Sequence, residues 1–189
     1  MKRFTLIITA ALLVAACGGN NNGTQKDGPA AEAQPGQVAE AQQPADHSMY
    51  NSPNQEGMKK VYDFIKSCGS TYFLATTDGD QPRVRPFGTV NIFEGKLYIQ
   101  TGHRKDVAKQ IAADPKVELC CYDGKSEWLR VCGTLVEDER IAAKKSMLDA
   151  YPNLRAMYDE NDDNTAVYYI TGARARFCSF TKPEEVVEF

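Results

Sequence analysis

Histidine and tryptophan are scarce in this chain, which has two histidines and one tryptophan in 189 residues. His103 is the only histidine after residue 47, so a metal site built from several histidines is excluded from the C-terminal part and no metal ligand is assigned. A Ser-His-Asp site would have to use this same histidine. No glycine-rich dinucleotide fingerprint and no Walker motif is present, which excludes these nucleotide-binding classes.

An excess of positive charge is also missing. The chain has 22 basic and 25 acidic residues, and removal of an N-terminal segment that contains Lys2 and Arg3 leaves 20 basic residues and a net charge of −5. Binding to a nucleic-acid backbone depends on concentrated positive charge. We therefore expect no nucleic-acid partner.

Long hydrophobic runs are absent as well. The most apolar stretch, Phe4–Ala16, is shorter than the roughly 20 residues that span a bilayer. It follows two basic residues and ends in small residues at Cys17, a pattern typical of a secretory signal. The sequence VAAC at its end resembles a bacterial lipobox, which implies that residues 1–16 are cleaved and that Cys17 is lipidated as the first mature residue. The alternative is an ordinary signal peptide with an incidental cysteine.

A lipidated Cys17 implies an exported protein that is anchored to a bacterial membrane without a spanning helix. The anchor would hold the protein on the periplasmic face or at the cell surface. Gly18 follows Cys17, in place of an aspartate that would signal retention in the inner membrane. This favours the outer membrane.

Residues 17–53 are rich in Gly, Asn, Gln, Ala and Pro, and Met49 and Tyr50 are their only large apolar residues. Such a composition cannot bury enough apolar surface to offset the entropy of the chain, so the segment is predicted to be a flexible tether. One folded domain remains, residues 54–189, of a size usual for a single domain.

Periodicity predicts a domain with more strands than helices. Met58, Val61, Tyr62 and Ile65 share one helical face, and this helix is expected to end at Gly69. Further helices are predicted over 104–113, 138–151 and 154–158, between runs that alternate like strands. Few of these helices lie between consecutive strands. The order therefore favours an antiparallel barrel with helices packed outside rather than a parallel sheet.

The order of three segments carries a family resemblance. LATTDGDQPRVRPFG is followed by EGKLYIQTGHRKDVAKQIAADPKVELCCYD and then by EWLRVCGTLVE. This set resembles the pyridoxamine 5′-phosphate oxidase-like, FMN-binding split-barrel proteins, over about residues 58–180. The resemblance implies a mainly β fold, a six-stranded antiparallel split barrel with flanking helices. It also implies a homodimer that holds FMN between its subunits.

The segment Thr101–Lys105, TGHRK, is the first candidate cofactor site. Free N–H groups at a helix start bind anions, and the resemblance places the FMN phosphate here, against Lys105. Arg104 adds a second cation, Gly102 allows close approach of the backbone, and Thr101 offers a hydroxyl. The alternative is a solvated helix start at which Asp106 pairs with both cations.

The strand QPRVRPFG is the second candidate. Arg83 and Arg85 share one face of the strand, and Val84 and Pro86 share the other. The resemblance implies that the backbone of this strand runs along the flavin and that Arg83 reaches the phosphate. The alternative is two arginines on a solvated face.

Trp128 is the third candidate, on a strand that in the family crosses the dimer interface and approaches the partner's flavin. It is equally well explained as an interface or core residue. Apart from Cys17, five cysteines remain: Cys68, Cys120, Cys121, Cys132 and Cys178. Cys120 and Cys121 are adjacent on a strand and point to opposite faces, so they cannot share a metal. One disulfide among the five is left open.

The C-terminus RARFCSFTKPEEVVEF departs from true pyridoxamine-phosphate oxidases, which end with a tryptophan and an Arg-x-His stretch that contact the substrate. Oxidation of pyridoxamine phosphate is therefore not expected. The leading hypothesis is an FMN-dependent oxidoreductase that acts on an unidentified small molecule, with no catalytic residue assigned. The alternatives are a non-catalytic flavin or haem module, in which His103 would be the axial ligand, and a barrel without cofactor that serves as a dimeric interaction domain.

Overall fold

The computed structural model of the chain describes residues 53–189. The predicted signal peptide, the lipidation site at Cys17 and nearly all of the predicted tether lie outside these residues. Within the described residues, no helix is both long enough and apolar enough to cross a membrane.

The first helix, α1 (Gln55–Ser67), opens the domain as predicted. The Asn54 side chain caps its start by accepting a hydrogen bond from Gly57 N at 2.8 Å, which satisfies one of the N–H groups that a helix start leaves free. Met58, Val61 and Ile65 are buried, as their spacing predicts. The helix ends at Cys68, and Gly69 follows in the left-handed region with φ of 70°.

Within residues 53–189, eight strands form one antiparallel sheet that curls into a barrel. They are β1 (Tyr72–Asp78), β2 (Gln81–Phe87), β3 (Asn91–Phe93), β4 (Lys96–Gly102), β5 (Lys116–Tyr122), β6 (Glu127–Glu137), β7 (Thr165–Ser179) and β8 (Glu185–Glu188). Their order is β2-β1-β5-β6-β7-β4-β3, with β8 paired to β7. The prediction of an antiparallel barrel with flanking helices is confirmed.

The number of strands differs from the expected six for two local reasons. The run RVRPFGTVNIF leaves the sheet at Gly88–Val90 and so contributes two strands, β2 and β3. The C-terminal EVVE forms β8 and pairs with Arg174–Phe177 of β7. Four residues with a charge at each end carry too weak an alternation to be recognised as a strand from sequence.

The bounds of the helices between the strands differ from the predicted ones. Helix α2 covers Asp106–Ala113, with Lys105 at its N-cap, so Arg104 lies outside it. Helix α3 covers Ile141–Ala150 rather than 138–151. The predicted helix over 154–158 is a 3₁₀ helix, Pro152–Ala156.

Two apolar clusters hold the domain together. The larger fills the barrel under α1 and includes Leu74, Leu119, Leu129 and Val131. The smaller lies under α3, on the other side of β4 and β7, and consists of the buried residues Tyr98, Ala143, Met147 and Val167. Strand β4 is therefore covered on both sides, and all its residues except Lys96 are buried.

Candidate functional site

Lys105 stands at the start of α2, at the junction with β4. It occupies the N-cap position, where its side chain makes no capping hydrogen bond. Its Nζ lies 5.8 Å from the centre of the Tyr158 ring, and within the described part of the chain it forms no ion pair. A helix start with free N–H groups and an unpaired ammonium beside it is a favourable place for an anion.

Arg85 reaches the same place from β2 and is held by neutral acceptors. Its Nη1 donates to Thr76 Oγ1 at 2.7 Å and to Leu74 O at 3.1 Å. Its Nη2 donates to Gln110 Oε1 at 2.7 Å, and Thr76 donates to the same oxygen. Burial and the neighbouring Arg83 charge lower the pKa of Arg85, which as an arginine stays protonated. Because its partners are uncharged, its positive charge is not neutralised.

Two cavities meet at Arg85 and Lys105. The cationic groove has a volume of about 760 Å³, and its charged lining residues are Asp78, Arg83, Arg85, Lys105, Asp106 and Lys109. The aromatic pocket, of about 450 Å³, is lined by Arg85, Pro86, Phe87, Gly88, Thr89, Gln100, Thr101, Lys105, Val107, Tyr151, Asn153, Leu154, Met157 and Tyr158. A ligand with an anionic end and an apolar ring system would fit this pair of cavities.

Of the predicted β2 residues, Arg83 and Arg85 both line the cationic groove, but only Arg85 also lines the aromatic pocket. Arg83 donates from Nε and Nη2 to Asp78 across the β1–β2 hairpin, at 3.2 and 3.0 Å. Its charge is therefore already paired in this structure. Pro86 lines the aromatic pocket, and Val84 lies on the opposite, outer face with 68% of its surface exposed.

In the TGHRK segment, Thr101 is buried at the wall of the aromatic pocket. Arg104 turns away from both cavities, because its Nη2 pairs with Asp163 Oδ1 at 3.0 Å. Asp106 pairs with Lys109 at 3.0 Å, so the expected alternative, in which Asp106 neutralises Arg104 and Lys105, is wrong.

Gly102 permits a close approach, but in this structure the approaching groups are side chains. A Cβ at this position would lie 3.0 Å from Asn164 Oδ1 and 3.1 Å from Tyr158 Cε1. The glycine therefore lets the segment before β7 and the end of the 151–158 segment pack on β4.

Trp128 lies on β6, away from Lys105, and lines neither cavity. It packs on Phe180, with 5.1 Å between the ring centres, and is paired in register with Tyr122 of β5. Its predicted contact with a flavin would therefore require a second subunit.

Sequence reasoning missed three groups of this site. Gln110 and Thr76 fix Arg85, and the Tyr151–Tyr158 segment builds one wall of the aromatic pocket. Gln100, which lines the aromatic pocket from β4, is only 6% exposed, and its amide nitrogen and oxygen have no hydrogen-bond partner among residues 53–189. No local pattern marks these residues, because each joins the site through contacts between distant segments.

His103 is held at both ring nitrogens. Nδ1 lies 2.8 Å from Asp163 O, and Nε2 lies 2.5 Å from Glu137 Oε1. Burial would lower the pKa of His103, but the hydrogen bonds to Asp163 and Glu137 outweigh it and raise the pKa. An axial bond to haem iron would require one of these contacts to break, which weighs against His103 as a haem ligand.

The raised pKa of His103 predicts a small dependence of stability on pH. The folded pKa lies above the unfolded value of about 6.5, so the stabilisation is complete below pH 6.5 and is lost as pH rises through the folded pKa. Because the His103 and Glu137 side chains are each about one-third exposed, we expect their interaction to add no more than about 1 kcal/mol to the free energy of unfolding. Urea unfolding of wild type and His103→Gln at pH 5.5 and pH 8.5 measures it. If the two proteins differ more in free energy of unfolding at pH 8.5 than at pH 5.5, the raised pKa of His103 is wrong.

The comparisons with known proteins agree with this architecture. The family model described as Pyridoxamine 5′-phosphate oxidase matches residues 58–178. The crystal structure of a NimC/NimA family protein from Clostridium acetobutylicum is 40% identical, with a TM-score of 0.69, and the match covers 76% of this chain and 96% of that chain. No functionally curated protein matches the chain.

Two more distant structures share the fold. A pyridoxamine 5′-phosphate oxidase-related, FMN binding protein from Nostoc punctiforme is 17% identical, with a TM-score of 0.50, and the match covers 75% of this chain and 98% of that chain. A heme binding protein from Mycobacterium smegmatis is 14% identical, with a TM-score of 0.54, and the match covers 73% of this chain and 59% of that chain. With the family model matched over most of the barrel and a 40% identical structure matched over nearly its whole length, this chain belongs to the pyridoxamine 5′-phosphate oxidase family of split-barrel proteins.

Proposed function

We propose that the protein is an FMN-binding oxidoreductase that acts on a small molecule. The observation that carries this proposal is the pair of unneutralised cations, Arg85 and Lys105, at the place where the α2 start, the cationic groove and the aromatic pocket meet. FMN has an anionic phosphate at one end and an apolar, polar-edged ring system at the other. The fold has relatives of both kinds, FMN-binding and haem-binding.

The residues present fit the phosphate of FMN. Lys105 and Arg85 supply two positive charges, and the N–H groups of the first turn of α2 supply donors. Arg85 is fixed in advance by Thr76 and Gln110, so little side-chain entropy is lost when an anion binds. Arg83 remains a candidate for the phosphate, but it would have to release Asp78 first.

The aromatic pocket fits the flavin ring. Pro86 lines it from β2 and Thr101 from β4, and Tyr151 and Tyr158 add aromatic surface from the segment after α3. The buried amide of Gln100 carries a donor and an acceptor without partners. Leaving such groups unpaired is unfavourable, and a polar ring edge that reached them would satisfy both. When bound, the flavin would supply hydride or electron transfer, while these residues bind and orient it.

The absorbance spectrum of the purified protein, recorded after FMN is added and the excess removed, tests the proposal. Retained flavin bands that bleach with a chemical reductant, and return when an acceptor is added over several cycles, are the expected result. Retained flavin that is reduced but never reoxidised by any acceptor would reduce the assignment to a binding module. A Soret band after addition of haem, without flavin retention, would favour the haem alternative.

We further propose that the protein is a homodimer formed through the outer face of the sheet. Phe73, Val84 and Tyr122 are each at least 50% exposed on this face, and Trp128 is paired with Tyr122. Phe73 is also paired with Pro86 of the aromatic pocket, so the apolar face continues into the site. A second copy would bury this surface and bring its own Trp128 near the neighbouring site.

Placing a charge at the centre of the outer face should break this dimer. Phe73 is paired with Cys120 of the neighbouring strand β5, and Phe73→Glu would bury an unpaired carboxylate in the interface, so we expect a shift from dimer to monomer in light scattering at micromolar concentration. Ile141→Glu is the matched control, since Ile141 is 56% exposed on α3 and should leave the dimer intact. A monomeric wild type, or equal behaviour of both variants, would contradict the proposal.

Export and lipid anchoring through Cys17 remain a proposal from sequence. The observation that supports it is the basic start, the short apolar stretch and the VAAC sequence before Gly18. Fractionation of cells that express the full chain, with Cys17→Ser as control, tests it. Membrane association that is lost in Cys17→Ser is expected, and equal distribution of both proteins would contradict the anchor.

A further inference from the structure

Gln100 is a buried polar residue of β4 whose side-chain amide is not used by the fold. It is 6% exposed, and neither its amide nitrogen nor its amide oxygen has a hydrogen-bond partner among residues 53–189. The other buried glutamine of these residues, Gln110, is bound through its oxygen by Thr76 and Arg85. A buried donor and a buried acceptor without partners cost free energy in the folded state. Such a pair therefore indicates a ligand that supplies the missing partners.

Alternation along β4 shows which side of the strand this amide occupies. Tyr98 packs under α3 in the smaller apolar cluster, and a Cβ at Gly102 would lie 3.1 Å from Tyr158 Cε1. Residues two apart on a strand share a face, so Gln100 points to the same side as Tyr98 and Gly102. Ile99 points the other way, into the barrel core. The amide of Gln100 therefore lies on the side of the segment after α3, which lines the aromatic pocket.

The backbone of Gln100 and a hydroxyl of the same pocket are already engaged in other hydrogen bonds. The N–H of Gln100 donates to Thr89 Oγ1 at 3.2 Å, and the residue is paired in register with Val167 of β7. The Tyr151 hydroxyl donates to Val90 O and accepts from Val90 N, both at 3.0 Å. The position of Gln100 is therefore fixed, and Tyr151 holds the connection between β2 and β3 instead of the amide.

We propose that Gln100 is a specificity-determining residue that recognises the imide edge of the flavin ring. At this edge the ring carries the N3–H group between two carbonyl groups. A carboxamide presents one acceptor and one donor side by side, so the Gln100 Oε1 accepts from N3–H and its Nε2 donates to one of the two carbonyls. This role rests on the proposed function, because it exists only when flavin occupies the aromatic pocket.

The same amide disfavours haem in this pocket. The edge of the haem ring carries apolar substituents and propionate groups, which accept hydrogen bonds, but it carries no donor. With haem in the pocket, the Gln100 oxygen would stay buried without a partner. A site that leaves a buried polar group unpaired discriminates against the ligand that does so, and Gln100 therefore favours flavin over haem.

The first measurement compares the binding of FMN with that of its N3-methyl derivative, in which a methyl group replaces the N3 hydrogen. Quenching of flavin fluorescence by the wild-type protein gives both affinities. We expect the derivative to bind roughly 10- to 100-fold more weakly, because the Gln100 oxygen loses its donor. If FMN itself does not bind, the proposed function is wrong. If both flavins bind with equal affinity, flavin binding stands and only the role of Gln100 is overturned.

The variant Gln100→Met tests whether the discrimination between the two flavins comes from this residue. Methionine is an unbranched side chain without a strong hydrogen-bonding group, so it removes both unpaired groups from the pocket. Without ligand, the variant should melt at the temperature of wild type or above it, since no group of the fold loses a partner. It should bind FMN roughly 10-fold or more weakly than wild type does, and it should bind the two flavins within about threefold of each other.

The control Gln81→Met makes the same substitution at a glutamine that is exposed on β2 and lines neither cavity. It should keep the full discrimination between the two flavins. A Gln100→Met protein that melts well below wild type would show that the fold uses the amide. One that still discriminates between the flavins would show that another group contacts N3. Either result would overturn the role of Gln100.

Discussion

Replacing Lys105 by alanine is expected to weaken FMN binding by roughly 10- to 100-fold, the loss that follows from removing one or two charge-assisted hydrogen bonds. Lys105 is at the N-cap of α2 and has no ion pair among the residues that the structure describes. Its ammonium group is therefore available to a phosphate without breaking an existing pair. Titration of the protein into FMN, followed by quenching of flavin fluorescence, measures the change.

The matched control is Lys109→Ala. Lys109 lies one turn further along α2 and lines the same cationic groove, but it is paired with Asp106 at 3.0 Å and its side chain is 70% exposed. Its removal should change FMN affinity less than about threefold, as expected for a screened surface charge. Equal losses for the two variants would mean that the groove attracts FMN only through its total charge.

The affinity for riboflavin shows whether Lys105 contacts the phosphate of FMN or its ring. It carries the same ring as FMN but no phosphate, so wild type and Lys105→Ala should bind it with equal affinity. If the variant binds FMN as tightly as wild type does, the assignment of the α2 start to the phosphate is wrong. If it loses riboflavin and FMN equally, Lys105 acts on the ring or on the fold.

The arginine pair shows how far sequence reasoning reaches at this site. Alternation along a strand places Arg83 and Arg85 on one face, and the structure brings both to the cationic groove. The two arginines differ in their tertiary contacts. Asp78 neutralises Arg83 across a hairpin, whereas Thr76 and Gln110 hold Arg85 without neutralising it. Gln110 comes from α2, 25 positions away, and no local pattern in the sequence indicates this contact.

Arg104 is a residue whose predicted role is changed by tertiary contacts. A basic residue before a helix start is consistent with an anion site, but Asp163 and Asn164, about 60 positions later, bind its side chain and its backbone N–H. The fold can be predicted from the sequence more completely than the site, since strand alternation and helix periodicity depend on local pattern alone. Strand β8 was missed because four residues carry too little of that pattern.

Removing the Asp138 side chain is expected to destabilise the domain by about 2 to 4 kcal/mol, because a buried acceptor of several hydrogen bonds is lost. Asp138 is 7% exposed. Tyr98, which is itself buried under α3, donates its hydroxyl to Asp138 Oδ2 at 2.8 Å. Arg140 Nη2 donates to the same oxygen at 2.7 Å and also pairs with Glu94 at 2.9 Å. In Asp138→Ala the Tyr98 hydroxyl is left without this acceptor.

The loss should also depend on pH. Burial would raise the pKa of Asp138, but hydrogen bonds from Arg140 and Tyr98 outweigh it and lower the pKa below its ordinary value of 3.8. A carboxylate with a lowered folded pKa contributes stability above its unfolded pKa, and this contribution is lost as pH falls through the folded pKa. The difference between wild type and Asp138→Ala should therefore be constant from pH 5 to pH 7 and shrink below about pH 4.

Asp138→Asn separates the charge from the hydrogen bonds, because an amide oxygen can still accept from Tyr98. We expect a smaller loss than in Asp138→Ala, and no shrinkage of that loss from protonation of residue 138 itself. Urea unfolding midpoints at pH 7, 5 and 3.5, compared at equal m-values, measure all three proteins. A substitution at the surface changes the free energy of unfolding by up to about 0.5 kcal/mol. If Asp138→Ala lowers it by no more than this at pH 7, the hydrogen bonds of Asp138 with Tyr98 and Arg140 do not stabilise the contact between β4 and α3. Such a result would assign the packing of α3 on β4 and β7 to the apolar contacts of Tyr98, Met147 and Val167 alone.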